Sequence, residues 1–338
     1  MSGVREGYSK EEFINQYKLK EEFKSAERIN NNLWNTLQSI GDVYTERSNN
    51  NKAIADSFLL DIMQDDDLKK IMHSARCRIK NVNSLKAKIV RKLAKLSIDK
   101  CNDYEKEKYR NINENNYYKI VTDLIGMRII IRYREDWIKV DKWIMDHFGQ
   151  NKELYIKNYI DDYKADANKP FIIERPKIFY RSDQDMIFYQ AVKQGDYCLV
   201  KSKEGYNSVH YIINKDGKYI EIQVRTIYDE AWSECTHDIV YKSALKGGEK
   251  KKELEYISKC LAQQTIAAEN MVNYMYEMVN GSNTIYNSVE ETDNSFSLKD
   301  VGTISEKSSI MKINIGQRIK KLRQESEEKF SGNIDDLI

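Results

Sequence analysis

Near the start of the chain, apolar residues recur at helical spacing: Phe13, Tyr17, Phe23, Ile29, Leu33, Leu37 and Ile40. No proline or strand-like run interrupts residues 10 to 67, so the spacing predicts helix throughout. The segment "SARCRIKNVNSLKAKIVRKLAKL", 74 to 96, predicts a turn and then a helix with Leu85, Ile89 and Leu93 on one stripe. "LIGMRIIIRY", 124 to 133, is a β-rich apolar run and predicts a buried strand. "WIKVDKWIMDHF", 137 to 148, predicts an amphipathic helix lying on it. Residues 150 to 196 hold both prolines, Pro170 and Pro176, among many Tyr, Asp and Lys, and predict short strands with a mobile loop. "EGYNSVHYIINKDGKYIEIQVRT", 204 to 226, alternates on both sides of an Asp-Gly pair and predicts a hairpin.

The hairpin leads into helices predicted over 227 to 243 and 251 to 279, the latter long and amphipathic. Residues 282 to 310 are polar and without period, as a disordered linker would be, and 311 to 338 hold a short charged tail helix. Strands mixed with helices around one sheet give an α+β (mixed α/β) core over 71 to 247. A helical N-terminal extension over 1 to 70 and a C-terminal helix over 248 to 281 flank it.

Charge does not single out a polyanion-binding chain. Across 338 residues, 55 Lys plus Arg face 53 Asp plus Glu, so a nucleotide or nucleic-acid site must be a local patch. The cysteines, Cys77, Cys101, Cys198, Cys235 and Cys260, are odd in number, widely spaced and without a CxxC pair. That pattern argues for a reducing compartment and against a zinc site or disulfide framework. The N-terminus is charged where a signal peptide needs an apolar run, and no stretch approaches ~20 apolar residues. The expectation is a soluble cytoplasmic protein with no membrane partner.

Four constellations carry candidate chemistry. Arg76, Arg78, Lys80, Lys86, Lys88, Arg91, Lys92 and Lys95 have no acid between them and could converge on polyphosphate; a solvated basic helix face is the plain alternative. Asp123, at the mouth of the 124 to 133 strand, could hold Mg²⁺ or serve as an ordinary turn aspartate. In the second hairpin strand, Glu221, Gln223 and Arg225 share one face, while Ser208 and His210 share a face on the neighbouring strand. Glu221 could be a second metal carboxylate or a base, Gln223 could orient a sugar or phosphate, and Arg225 could neutralise developing charge. The alternative is a cross-strand ion-pair ladder. Tyr206, after a Gly, could stack a base, although packing is the default for one of 23 tyrosines. His237 and Asp238 read as structural.

Taken in order, "RIKNVNSLKAKI", "DLIGMRIIIRY", "GDYCLVKSKEGYNSVH", "EIQVRT" and "HDIVYK" resemble the synthetase domain of the RelA/SpoT family over roughly residues 75 to 245. The resemblance implies a nucleotidyltransferase-like fold that moves the β,γ-pyrophosphate of ATP, with Mg²⁺, onto the 3′-hydroxyl of GDP or GTP and releases AMP. By motif position, Arg78, Lys80, Ser84 and Lys88 resemble the ATP contacts. Asp123 and Glu221 resemble the metal-binding and catalytic carboxylates. Tyr206 resembles the guanine-stacking residue, and His210, Gln223 and Arg225 resemble acceptor-side positions.

Asn207 stands where the family commonly has a basic residue, which implies an altered acceptor preference. The segment around 169 to 185 does not align. With no hydrolase ligands ahead of the core, the chain is most similar to small, synthetase-only alarmone synthetases, and its terminal helices would suit a homo-oligomer. Two other readings stay open. One is a toxin-type relative that pyrophosphorylates the 3′ end of tRNA, and the other is a non-catalytic binding module.

Overall fold

The computed structural model describes residues 8–98, 108–149, 171–182, 185–186, 188–189, 197–202, 205–236, 239 and 249–280. The expected linker and tail helix over 282 to 338, the His237–Asp238 pair and all of residues 150 to 170 lie outside them. The chain divides into two compact units, Met1–Ile266 and Ala267–Ile338.

The helical N-terminal spacing forms α1 (Lys10–Gln16), α2 (Lys20–Glu27), α3 (Leu33–Glu46), α4 (Ser48–Gln64) and α5 (Asp66–Ile71). The breaks have local causes. Ser9 and Glu12 close a capping box at the start of α1, and Lys18, at φ 54°, turns the chain before α2. Asp65 accepts from the backbone N–H groups of Asp67 and Leu68 to start α5.

Met72–Ile79 corrects the sequence reading: it is an eight-residue strand, β1, where a turn was expected. Arg76 and Arg78 point to one side while Cys77 and Ile79 lie against the sheet core, so the period of two is present but carried by arginines. The helix that follows, α6 (Val82–Ile98), begins at Asn81, whose side chain accepts from the backbone of Asn83 and Ser84.

After α7 (Tyr117–Ile120) come β2 (Ile125–Ile131) and α8 (Asp136–Phe148), then β3 (Phe171–Ile172), β4 (Lys177–Tyr180) and β5 (Cys198–Lys201). The hairpin is β6 (Ser208–Lys215) and β7 (Lys218–Thr226), followed by α9 (Ile227–Thr236) and α10 (Glu249–Asn280). At the turn Asp216 and Gly217 have φ 51° and 72°, the pair of left-handed residues a two-residue hairpin loop requires.

The sheet runs β1-β2-β7-β6-β4-β5, with β3 also on β6. The β2–β7 and β4–β5 pairs are parallel and the others antiparallel, so the architecture is α+β around one mixed sheet. One sheet face buries Met127, Ile129, Ile222, Val224, Val209 and Tyr211 with residues of α4, α5 and α8. A second core joins Phe13, Phe23, Leu37 and Ile40 of the N-terminal helices to Leu85, Ile89 and Leu93 of α6. The predicted α6 stripe is therefore the seam on which the N-terminal helices sit. No helix among the described residues is long and apolar enough to cross a membrane.

Candidate active site

Register brings the sequence candidates onto the sheet face opposite the first core. Arg78 pairs with Gly126, Gly126 with Glu221, and Glu221 with Ile212; on the neighbouring row, Arg76 pairs with Arg128, Arg128 with Gln223, Gln223 with His210, and His210 with Lys177. Gly126 leaves a notch over which Arg78 folds, since a Cβ there would lie 3.3 Å from its Cγ and Nε. Glu221, Gln223 and Arg225 thus do share a face with Ser208 and His210.

These side chains close a ring. Arg225 Nη2 donates to the Tyr206 hydroxyl at 2.7 Å, and that hydroxyl lies 2.8 Å from His210 Nε2. His210 Nδ1 lies 3.5 Å from Glu221 Oε1. On the other arm, Arg225 Nη2 donates to Gln223 Oε1 at 2.6 Å and Gln223 Nε2 donates to Glu221 Oε2 at 2.7 Å. With the imidazole proton on Nδ1, both arms run as unbroken donor chains from Arg225 to Glu221. Burial alone would raise the Glu221 carboxyl, but His210, Gln223 and the charge of Lys88 together bring it down to about 2.

Arg225 is itself buried and fully engaged. It also donates to Glu230 and Ser233 at 3.0 Å each and to Ser208 at 3.4 Å, and it lies 4.8 Å from the Tyr206 ring centroid. Glu230 and Glu234 bind Arg76 and Arg128 as well. These ion pairs run from strand arginines to carboxylates of α9 rather than across strands, and they anchor the ring.

Beside the ring, Lys80 Nζ and Lys88 Nζ each lie 2.8 Å from Asp123 Oδ2. Burial raises this carboxyl, yet Lys88 and Lys80 outweigh it and hold Asp123 below the usual range. The other oxygen, Asp123 Oδ1, is buried without a hydrogen-bond partner among the described residues. Lys80 is fixed by its backbone: its N–H donates to Leu124 at 2.9 Å and its carbonyl accepts from the Tyr44 hydroxyl of α3 at 2.7 Å. Ser84 lies in the first turn of α6, one turn before Lys88, while Arg78 is exposed.

The eight-cation cluster does not converge, a second correction. Lys86 turns away into the N-terminal core, where it bonds Gln38 and lies 5.8 Å from the Trp34 ring centroid. Arg76 binds Glu230, Arg91 donates to the Tyr17 carbonyl at 3.2 Å, and Lys95 is exposed. Helical geometry explains this, because only residues three or four apart share a face of α6. Lys88 and Lys92 share one, and with Lys108, Lys177, His210 and Glu221 they line a cavity of about 270 Å³. Lys108, Lys177 and Phe179, whose ring centroid lies 4.7 Å from that of His210, were not singled out from sequence. Their segments carry no pattern beyond an isolated Lys or an alternating pair.

Asn207 has a structural occupation. Its buried amide donates to Asp229 at 3.0 Å and accepts from Tyr189 at 3.4 Å. Among the described residues no group of three or more His, Cys, Asp or Glu is arranged to hold a metal unaided.

Curated proteins give no match. Among solved structures, small alarmone synthetase 2 from Bacillus subtilis is 19% identical, with 70% of this chain and 97% of that one covered, at a TM-score of 0.37. Small alarmone synthetase 1 from the same organism is 13% identical, covering 62% and 80%, at 0.36. A GTP pyrophosphokinase family protein from Streptococcus pneumoniae is 15% identical, covering 80% and 95%, at 0.36. The decisive match is to the family model described as "Region found in RelA / SpoT proteins", which spans residues 77–246, half of the chain, and takes in the end of β1, α6, β2 and the hairpin, with Arg78, Lys80, Ser84, Lys88, Asp123, Tyr206, His210, Glu221, Gln223 and Arg225. The chain therefore belongs to the RelA/SpoT family.

Proposed function

We propose that this protein is a (p)ppGpp synthetase, a pyrophosphotransferase that moves the β,γ-pyrophosphate of ATP onto the 3′-hydroxyl of GDP or GTP and releases AMP. The observation that carries the reading is the juxtaposition of two ionised carboxylates, Asp123 and Glu221, around the shared cation Lys88. Their surroundings fit Mg²⁺. The ion prefers one or two carboxylates plus substrate phosphates, and Asp123 Oδ1 is a buried oxygen with no hydrogen-bond partner among the described residues. When bound, Mg²⁺ would neutralise charge on the transferred phosphates.

The side chains then divide the work. Lys80, Lys88, Ser84 and Arg78 bind the ATP polyphosphate, the lysines leaving Asp123 for phosphate oxygens. Tyr206 stacks the guanine, and His210 and Gln223 face the acceptor sugar. Arg225 acts by positioning, since its donors are committed to Tyr206 and Gln223. Held at about 2, Glu221 is ionised throughout the neutral range, which suits an ion ligand or hydrogen-bond acceptor better than a group that keeps a proton. The chemistry requires little more, because phosphoryl-type transfer is mostly positioning and charge neutralisation.

The test is transfer from γ-labelled ATP with Mg²⁺ to GDP, GTP or bulk tRNA in parallel. Label in a guanosine tetra- or pentaphosphate supports the proposal. Label in tRNA overturns its acceptor half, and label in none of the three overturns the activity.

A further inference from the structure

Outside the polar face, three cations surround one aromatic ring. Arg47, at the end of α3, lies 5.7 Å from the Tyr118 ring centroid; Lys119 of α7 lies 6.0 Å from it and Lys218, at the start of β7, 5.5 Å. Arg47 is oriented further by a hydrogen bond to the Tyr117 hydroxyl. None of the three forms an ion pair with a carboxylate among the described residues, in a chain whose acids and bases nearly balance. Three elements distant in sequence thus bring like charges together and hold them. Burial lowers the Lys218 ammonium and the neighbouring charge of Arg47 lowers it further, so these two like charges repel.

We propose that Arg47, Lys119 and Lys218 form a second anion site, distinct from the catalytic face, that binds a phosphate-bearing ligand. A phosphoryl group matches the donor set: Arg offers a planar fork and each Lys a point charge. The aromatic ring offers the cations no formal countercharge, so an incoming anion relieves repulsion that the folded protein already contains. The chemistry is shared by a free polyphosphate chain and by a nucleic-acid backbone, and the experiment separates these two sources.

Tripolyphosphate is titrated calorimetrically into Lys88→Gln protein, in which the lysine-lined cavity is weakened, with and without the added pair Arg47→Gln and Lys218→Gln. The expected result is a loss of affinity of about tenfold or more on adding the pair, with retention when Arg47→Lys and Lys218→Arg replace it. Without ligand, Lys218→Gln is expected to melt no lower than its parent, because it removes a repulsion; tripolyphosphate should raise the parent's melting point and not the variant's. A short unstructured RNA in the same background assigns the source. Tighter, steeply salt-dependent binding points to a nucleic-acid backbone, and binding no tighter than tripolyphosphate points to a free polyphosphate. Tripolyphosphate affinity that is indifferent to Arg47→Gln and Lys218→Gln, or undetectable in the Lys88→Gln background, overturns the site.

Discussion

Glu221→Gln separates the electrostatics of the ring from its shape. In the folded protein the carboxyl lies at about 2, against 4.5 for the free side chain. At about 1.36 kcal/mol per pH unit, that difference makes the ionised carboxylate worth ~3 kcal/mol to folding at neutral pH, taken as a ceiling. The sign follows from the depressed value. The contribution is complete above the unfolded pKa of 4.5 and disappears as pH falls toward about 2. Glutamine keeps the volume and one acceptor oxygen but loses the charge that faces His210 and Lys88. Urea denaturation of both proteins, repeated from neutral pH down through the acid range, reads the effect. The wild-type advantage should be largest at neutral pH and shrink progressively below pH 4.5. A variant as stable as wild type at neutral pH, or a gap that does not change through the acid range, would refute the assignment of Glu221 as a strongly stabilised anion.

Tyr44→Phe should cost about 1 kcal/mol by leaving the Lys80 carbonyl without its donor, and should raise the KM for ATP more than that for the acceptor; equal changes would argue against a link from α3 to Lys80. Lys86→Met should leave transfer intact and stability within about 1 kcal/mol of wild type or above it, because a buried ammonium is exchanged for an apolar chain of similar length. Loss of ATP binding in that variant would return Lys86 to the phosphate site. Gly205→Ala should destabilise by about 2 kcal/mol or more: φ is +83° and the new Cβ would lie 2.7 Å from Ala262 Cβ. Gly217→Ala, at φ +72° with nothing within 4 Å, should cost only about 1 kcal/mol, and thermal melts of the two variants test the contrast.

The parts of this fold legible in the sequence are those where one period acts alone. The hairpin is an example, because Asp216 and Gly217 demand a left-handed pair and Ile220, Ile222 and Val224 keep one face apolar. The α6 stripe is another. β1 was hidden because its outward positions hold Arg76 and Arg78, which read as part of a basic run, and because its partner β2 lies some 50 residues away in sequence. The site was legible as residue types on a face: Glu221, Gln223 and Arg225 had to be neighbours at period two. Their wiring was not, since the closure through Tyr206 and His210 depends on the β6–β7 register. The basic cluster shows the opposite failure, in which sequence proximity suggested a convergence that helical geometry divides between Asp123, Gln38 and the Tyr17 carbonyl.

In the proposed function the face around Asp123 and Glu221 moves a pyrophosphoryl unit. The most direct measurement follows α-labelled ATP with GDP and Mg²⁺, comparing wild type with folded Asp123→Asn and Glu221→Gln. Wild type should release labelled AMP in step with a guanosine tetraphosphate, and either variant none above background. Labelled ADP in place of AMP, or normal turnover by either variant, would contradict it.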